Sequence, residues 1–217
     1  STPHGLYVDA KNQRLFVNNY LDRSVTSHDI SKVISGADLV TPPPQEIPTV
    51  ESEPLSEKLL VGKKIFFNAA DPRMSNESYM SCASCHFDGD SDDTIWDFTQ
   101  RGEGLRRTIS LQGRAGIGTE GGRLHWSGNF DEVHDFENDI RNEFGGAGFL
   151  SEDDFKATSA PLGPSKAGKS DALDNLAAYV SSLNSFNRSP YRDAEGCLTP
   201  QALRGKEIFA KANCASC

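Results

Sequence analysis

Two short segments near the start of the chain alternate apolar and polar residues. They are residues 5–9 and 14–19, with a turn-like Ala-Lys-Asn-Gln run between them, and a third such segment covers residues 24–30. Alternation with a period of two is the pattern of a half-buried β-strand. The pattern therefore predicts a β-hairpin and a third strand within residues 1–39.

Residues 40–54 carry five of the eleven prolines, namely Pro42, Pro43, Pro44, Pro48 and Pro54. Proline fixes the backbone angle φ and has no N–H to donate, so a segment this rich in proline favours an extended conformation. We predict a linker over these residues and place a domain boundary there.

Beyond the linker, two stretches have the spacing of an amphipathic helix. Their apolar positions are Leu55, Leu59, Gly62 and Phe66 in the first stretch and Leu173, Leu176, Ala177, Val180 and Leu183 in the second. Ser56 or Ser52 is the predicted N-cap of the first helix, and Ser170 is the predicted N-cap of the second.

A five-residue sequence and a cysteine pair each occur twice. Gly-Lys-Lys-Ile-Phe at residues 62–66 returns as Gly-Lys-Glu-Ile-Phe at residues 205–209, and Cys-Ala-Ser-Cys at residues 82–85 returns at residues 214–217. Thr199 and Pro200 are the predicted N-cap and first residue of a helix before the second pair. We therefore expect residues 197–217 to be the truncated start of a second domain of the same kind.

The first cysteine pair is followed directly by a histidine, which gives Cys82-Ala-Ser-Cys85-His86. This is the attachment signature of c-type haem, in which each thiol adds to one vinyl group and the histidine binds the iron. A disulfide is one alternative, and a zinc site shared with Cys214 and Cys217 is another. We favour covalent haem because each cysteine pair follows a matching helix.

Composition and charge restrict the partners. The chain has 217 residues and a net charge of −9, and no apolar run approaches the roughly 18 residues that span a bilayer. The negative charge argues against nucleic acid and anionic membranes, and it suits a basic redox protein. Because haem is attached on the outer side of the bacterial inner membrane, we expect a periplasmic or extracellular location. The first residues, Ser-Thr-Pro-His, indicate a mature or excised piece.

The remaining cysteine, Cys197, belongs to neither pair. A buried thiol and a bond to a group outside this chain are both open for it.

Two helix sequences carry a resemblance to a known class. Gly-x-x-x-Phe at residues 62–66 and Leu-x-x-Tyr-Val-x-x-Leu at residues 176–183 are similar to the helices that cross in cytochrome c domains. With two haem motifs about 130 residues apart, and with the segments 106–111 and 124–130 between them, residues 55–217 resemble the bacterial di-haem cytochrome c peroxidases. The resemblance implies a mainly α fold, with a cytochrome c-type haem domain over residues 55–196.

The N-terminal segment carries a second resemblance. Val-Asn-Asn at residues 17–19, followed by Ser-Val-x-x-x-Asp-Ile at residues 24–30, is similar to one blade of the surface-layer type β-propeller. A single blade cannot close a propeller, and an isolated hairpin is marginal in water. The resemblance implies that this blade-like piece was cut from, or packs on, something larger.

The peroxidase resemblance also implies roles for single residues. It assigns the first motif to the haem that reacts with peroxide, and Cys214 and Cys217 to a second haem that supplies electrons. Trp126 corresponds to a tryptophan between the two haems, with a core aromatic as the alternative. Arg107 is a candidate partner of a haem propionate, because a guanidinium matches a carboxylate, with a surface salt bridge as the alternative.

Peroxide cleavage also needs a base that moves a proton between the two oxygens. The family places a glutamate about twenty residues beyond its tryptophan, but here that position is Gly146, so Glu143 is the nearest candidate and Glu137 the fallback. The family's sixth haem ligand corresponds to Gly102. The haem is therefore either five-coordinate or bound by His125 or His134. His125 is the candidate distal ligand, with a structural histidine as the alternative, because His134 lies in a charged run that usually faces solvent.

Residues 88–93, Asp-Gly-Asp-Ser-Asp-Asp, crowd four carboxylates together. Alternating acids can bind Ca²⁺, which the resembled family often holds, but a solvated turn is the interpretation we favour. Taken together, the sequence predicts a c-type haem oxidoreductase that reduces hydrogen peroxide with electrons from a small redox protein. The alternative is an electron-transfer cytochrome c with a six-coordinate haem and no catalysis.

Overall fold

The computed structural model of the protein describes residues 2–113, 122–185 and 188–216. The chain divides into two compact units, the first ending at Asn184 and the second beginning at Ser185. The strands are β1 (Pro3–Asp9), β2 (Arg14–Asn19), β3 (Ser24–Asp29), β4 (Gln45–Pro48), β5 (Ile95–Phe98) and β6 (Gly104–Arg107). The helices are α1 (Ser31–Ile34), α2 (Glu57–Phe67), α3 (Cys82–Cys85), α4 (Phe136–Asn142), α5 (Glu152–Thr158), α6 (Asp171–Ser182) and α7 (Pro200–Lys211).

The N-terminal segment forms a four-stranded antiparallel sheet with the order β1-β2-β3-β4. The predicted hairpin and third strand are confirmed, with Val8 opposite Leu15 and Leu15 opposite His28. Strand β4 comes from the proline-rich segment and pairs with β3, so that Ile47 lies opposite Val25. Part of the predicted linker is therefore the edge strand of this sheet.

A second sheet consists of the hairpin β5–β6, in which Phe98 pairs with Gly104. The chain is 33% helical and 18% strand, so the prediction of a mainly α fold is wrong and the fold is mixed α and β. Two features account for the strands that were not predicted. Strands β5 and β6 pair as a hairpin although each has only four residues, and β4, inside the predicted linker, pairs with β3.

Helices α2 and α6 form the centre of the first unit and meet at Gly62. A Cβ at this position would overlap the backbone carbonyl oxygen of Asn175 and would lie 2.8 Å from Cβ of Tyr179. Phe66 is completely buried at this crossing, and its ring centroid lies 5.3 Å from that of Tyr179. The helix pair predicted from the two apolar faces is therefore present, with the glycine at the point of closest approach.

The predicted N-caps are confirmed in all three helices. The side-chain oxygens of Ser56, Ser170 and Thr199 accept hydrogen bonds from the backbone N–H three residues later, at 3.3–3.4 Å. Such a bond satisfies one of the N–H groups that a helix start leaves without a partner. These boundaries follow from the sequence because the interaction spans only four residues.

The second unit contains α7, which Pro200 opens as predicted. Before it, the backbone N–H of Cys197 donates to Oδ1 of Asp193 at 2.8 Å. The thiol of Cys197 is exposed and free, so the buried-thiol alternative is wrong. Across the described parts of both units, no helix is long and apolar enough to cross a membrane.

Candidate functional site

The first cysteine pair lies on the single helical turn α3. Side chains three residues apart share a helix face, so Cys82 and Cys85 project in a common direction. The backbone N–H of Ser81 donates to Oγ of Ser84 at 3.0 Å, which fixes the start of this turn. Both thiols are free, and no disulfide joins them. The turn therefore presents two unlinked thiols side by side.

His86 follows α3 directly, and its backbone N–H donates to the carbonyl oxygen of Cys82 at 2.9 Å. Its ring atom Nδ1 lies 3.3 Å from the carbonyl oxygen of Asp90. A carbonyl only accepts, so this contact favours a ring hydrogen on Nδ1. The backbone of Ile109 also forms a hydrogen bond with the ring. Burial lowers the pKa of His86, which favours the neutral ring that can bind a metal.

Burial also determines the charge of the two thiols. It raises the pKa of Cys82 to about 12 and that of Cys85 to about 11, so both are S–H groups at neutral pH. Zinc binds the thiolate, whereas addition to a vinyl group leaves an uncharged sulfur. Within residues 2–113, 122–185 and 188–216, no three His, Cys, Asp or Glu side chains are placed to hold a metal ion. Cys217 lies outside the described residues, so the zinc site shared with the second cysteine pair stays a prediction.

The motif opens onto a cavity of about 1470 Å³, a volume that includes its mouth. Cys82, Cys85 and His86 all line this cavity. Much of the remaining wall is apolar, and these apolar side chains are Phe66, Ile109, Leu111, Phe136, Leu176 and Val180. The wall therefore suits a group with an apolar face.

A buried carboxylate, Glu103, also lines the cavity. It lies between β5 and β6 and is only 7% exposed. The flanking Gly102 and Gly104 have φ angles of +78° and +69°, which residues other than glycine rarely adopt, and this tight turn directs Glu103 inwards. The hydroxyl of Ser127 donates to its Oε1. Sequence reasoning missed Glu103, although an acid between two glycines after an alternating segment was the available signal.

His125 lines the same cavity, but its ring already has partners. Nδ1 lies 2.8 Å from Oδ1 of Asn129, and Nε2 lies 3.5 Å from Oδ2 of Asp139. The ring also packs against Phe130 and Phe136, with centroid distances of 4.4 and 4.8 Å. The structure thus brings His125 to the cavity wall and holds it there with oxygen and aromatic contacts.

Trp126 and Arg107 lie together at the cavity. Trp126 is 59% exposed and its Nε1 donates to the carbonyl oxygen of Arg107 at 2.7 Å, so it is not a core aromatic. Arg107 is exposed and forms a salt bridge with Asp93, the surface pair that was its alternative. Arg107 nevertheless lines the cavity.

Two further arginines in the cavity wall have no carboxylate partner within the described ranges. Arg106 donates to the carbonyl oxygen of Leu105 at 2.9 Å, and Arg123 donates to that of Gly128 at 3.4 Å. A guanidinium has five donors, so both side chains retain donors for an anionic group. The sequence analysis did not single out either residue as a ligand of a carboxylate.

The two glutamates expected to move protons lie elsewhere. Glu137 is completely buried and accepts hydrogen bonds from Arg141 Nε and from the backbone N–H groups of Phe149 and Leu150, at 2.8–3.0 Å. Glu143 is exposed. Neither residue belongs to the cavity wall, where the carboxylates are those of Glu103 and Asp139.

The second cysteine pair and the acidic run contribute little to this picture. Cys214 is exposed with a free thiol, and Cys217 lies outside the described residues. In the acidic run, Asp88 contacts His4, Asp92 accepts from the Trp96 indole, and Asp93 pairs with Arg107. These carboxylates thus face separate partners, and the Ca²⁺ site stays a prediction.

The residues of the cavity fit a covalently attached haem. Haem is a flat apolar ring with two vinyl groups and two carboxylates. The cavity offers two neighbouring thiols, the imidazole of His86, an apolar wall, and the guanidinium groups of Arg106 and Arg123. Each chemical part of the haem therefore has a complementary group in one cavity.

Comparison with known proteins gives one distant relative and no family. No family model matches the sequence. Over 178 residues the chain is 28% identical to hydrazine synthase subunit gamma of Kuenenia stuttgartiensis. The aligned region covers 77% of this chain and 44% of that protein, so the chain spans less than half of the relative's length.

Proposed function

We propose that this chain binds haem c covalently and that its cavity is the site where a small oxidant, hydrogen peroxide, is reduced. The observation that carries the proposal is the meeting of the Cys82–His86 motif and the buried Glu103 carboxylate in one apolar cavity. Cys82 and Cys85 would form the thioether bonds, and Nε2 of His86 would bind the iron. Bound there, haem c would supply an iron centre that takes up electrons and passes them to a small molecule.

The remaining wall residues have separate tasks in this proposal. Arg106 and Arg123 bind the two haem carboxylates, because they are the cavity arginines that lack a carboxylate partner in the described chain. The apolar wall excludes water. Trp126 lines the cavity and is 59% exposed, so it would be the residue through which electrons enter from a redox partner.

Glu103 is the proton-transfer group. Reduction of one hydrogen peroxide to two waters consumes two electrons and two protons, and a small redox protein provides the electrons. Ser127 holds Oε1 of Glu103, which leaves Oε2 to exchange protons with the bound oxidant. We assign this role to Glu103 in place of Glu143 and Glu137, because those two residues do not line the cavity.

We further propose a periplasmic or extracellular location, because that is where haem c is attached to bacterial proteins. The proposed electron donor is a small basic redox protein, which the net charge of −9 favours.

The first test is the optical and electron paramagnetic resonance spectrum of the ferric protein, with its ratio of haem to protein. We expect covalent haem with a high-spin ferric iron, which has a position open to peroxide. A low-spin spectrum that does not respond to peroxide would instead support the electron-transfer alternative, with His125 as the sixth ligand. Protein without covalent haem would overturn the proposal.

The second test separates Glu103 from the other glutamates. Glu103→Gln removes the proton-transfer group with little change of shape, and we expect the rate of peroxide reduction to fall by about 10²–10⁴-fold. Glu143→Gln is the matched control, because Glu143 is exposed and outside the cavity wall. Equal rates in the two variants would remove Glu103 from the mechanism.

A second candidate function comes from the distant relative. Its name describes a subunit of hydrazine synthase, so hydrazine chemistry within a multi-subunit enzyme is the alternative for this cavity. Titration of the ferric protein with hydrazine, followed by its optical spectrum, tests the alternative. Tight binding of hydrazine together with unreactive peroxide would favour the second candidate over the first.

A further inference from the structure

A side chain of the N-terminal sheet, His4 of β1, contacts the turn that follows the haem motif. Its ring stacks between Tyr20 and Phe87, with both centroid distances at 5.0 Å. Its Nε2 lies 3.1 Å from Oδ1 of Asp88, without the alignment of a hydrogen bond. His4 therefore holds the two residues that directly follow His86.

That turn also carries the acceptor that fixes the His86 ring. The N–H of Gly89 donates to the carbonyl oxygen of His86 at 2.9 Å, and the N–H of Asp90 donates to that of Phe87 at 2.8 Å. The carbonyl oxygen of Asp90 in turn lies 3.3 Å from Nδ1 of His86. The position of this acceptor therefore depends on the path of residues 87–89.

The path of these residues is strained. Asp88 has a φ angle of +53°, a left-handed conformation that costs free energy for a residue other than glycine. Such a conformation persists only where the surroundings hold it. His4 supports Phe87 and Asp88 from the side of the sheet, beside the backbone N–H of Leu111, which donates to the carbonyl oxygen of Gly89 at 3.0 Å.

His4 is itself firmly anchored in the first unit. Its stacking partner Tyr20 packs edge-on against Phe67 of α2, with a centroid distance of 5.2 Å. The buried Lys63 places its Nζ 3.9 Å from the centre of the same tyrosine ring. The sheet is therefore fixed to α2 on one side of His4, and the turn is fixed on the other.

We propose that His4 is a positioning residue for His86, and that the N-terminal sheet thereby sets the properties of the bound iron. By holding the 87–89 turn, His4 keeps the carbonyl oxygen of Asp90 at Nδ1. A hydrogen bond from Nδ1–H makes the imidazole a stronger electron donor and lowers the reduction potential of a bound iron. The effect on the iron rests on the proposed haem, whereas the effect on the turn does not.

The first experiment measures the turn alone. In the full chain with His4→Ala, we expect the amide hydrogens of Gly89 and Asp90 to exchange with solvent about tenfold faster, because two ring contacts are lost. The matched control is His28→Ala, which removes a histidine of β3 that contacts Thr26 rather than the turn. Unchanged exchange in His4→Ala, or equal acceleration in His28→Ala, would overturn the proposal.

The second experiment measures the iron in the haem-loaded protein. We expect the reduction potential of His4→Ala to rise. A tenfold change in the equilibrium constant of a one-electron couple corresponds to about 59 mV, which is the largest rise we expect. His4→Phe retains the stacking between Tyr20 and Phe87, so it should restore most of the lost amide protection and bring the reduction potential back close to its original value. Faster amide exchange without any change of potential would show that the turn does not control His86, and would overturn the coupling to the iron. Failure to load haem would count against the proposed function only, because amide exchange still decides the role of His4.

Discussion

The same short sequence occurs in both units with different surroundings. In the first unit, Phe66 of Gly-Lys-Lys-Ile-Phe is 0% exposed, whereas Phe209 of the second copy is 54% exposed. A Cβ at Gly62 would overlap Asn175, whereas among the described residues nothing lies within 4 Å of a Cβ at Gly205. Both sequences form a helix with a capped start. The sequence therefore determines the helix, but a partner such as α6 determines whether the helix is buried.

The comparison is tested most strongly at the two phenylalanines. Phe66→Ala leaves a cavity in the core, so we expect the free energy of unfolding to fall by about 3–5 kcal/mol. Phe209→Ala removes an exposed ring, so its effect should stay within about 0.5 kcal/mol. Denaturant unfolding measures the first effect, and amide exchange in α7 measures the second. A comparable loss at Phe209 would contradict the contrast.

Smaller effects on stability, of opposite sign in the two copies, are expected at Gly62 and Gly205. Gly62→Ala forces α2 and α6 apart and should destabilise the first unit by about 1–3 kcal/mol. Gly205→Ala has open space and replaces a poor helix former, so it should stabilise α7 by about 0.5–1 kcal/mol. The same two measurements apply. The contrast would break if both substitutions changed stability in the same direction.

The smallest effect should be equal in the two copies. Ser56→Ala and Thr199→Ala each remove a side-chain oxygen that accepts a backbone N–H, and each should cost about 1 kcal/mol. A cap is a local interaction and does not depend on α6. Amide exchange in the first turn of each helix measures the loss, and a clear difference between the copies would show that burial also affects the caps.

What the sequence predicted correctly is local in the chain. The β1–β2 hairpin and the three caps follow from patterns within one or two elements. The exception is the crossing of α2 and α6 at Gly62, which joins distant parts of the chain and was expected from the resemblance to cytochrome c domains. The mainly α prediction was wrong because β4 forms its pairs with β3 across a proline-rich segment, and because β5 and β6 are only four residues each.

The candidate site was predictable only in part. The motif at residues 82–86 is contiguous, so its three side chains were evident from the sequence. Glu103 was not evident from the sequence. It reaches the cavity because of a turn between two glycines with left-handed backbone angles and because of a hydroxyl 24 positions away in the chain. Spacing relative to Trp126 pointed to Glu143 and Glu137 instead, since distance along the chain does not determine which carboxylate faces a cavity.

The connectivity of the first unit has a consequence for the order of folding. Strands β1 to β4 pair in sequence order, so each step closes a short loop, whereas Phe67 and Asp171, at the facing ends of α2 and α6, are 104 positions apart. Closing long loops is slow, so we expect the sheet to form early and α6 to arrive late. Until Leu176 and Val180 complete the cavity wall, the thiols of Cys82 and Cys85 remain accessible. For the proposed attachment of haem, the long connection would give a newly made chain time to be modified before its cavity closes.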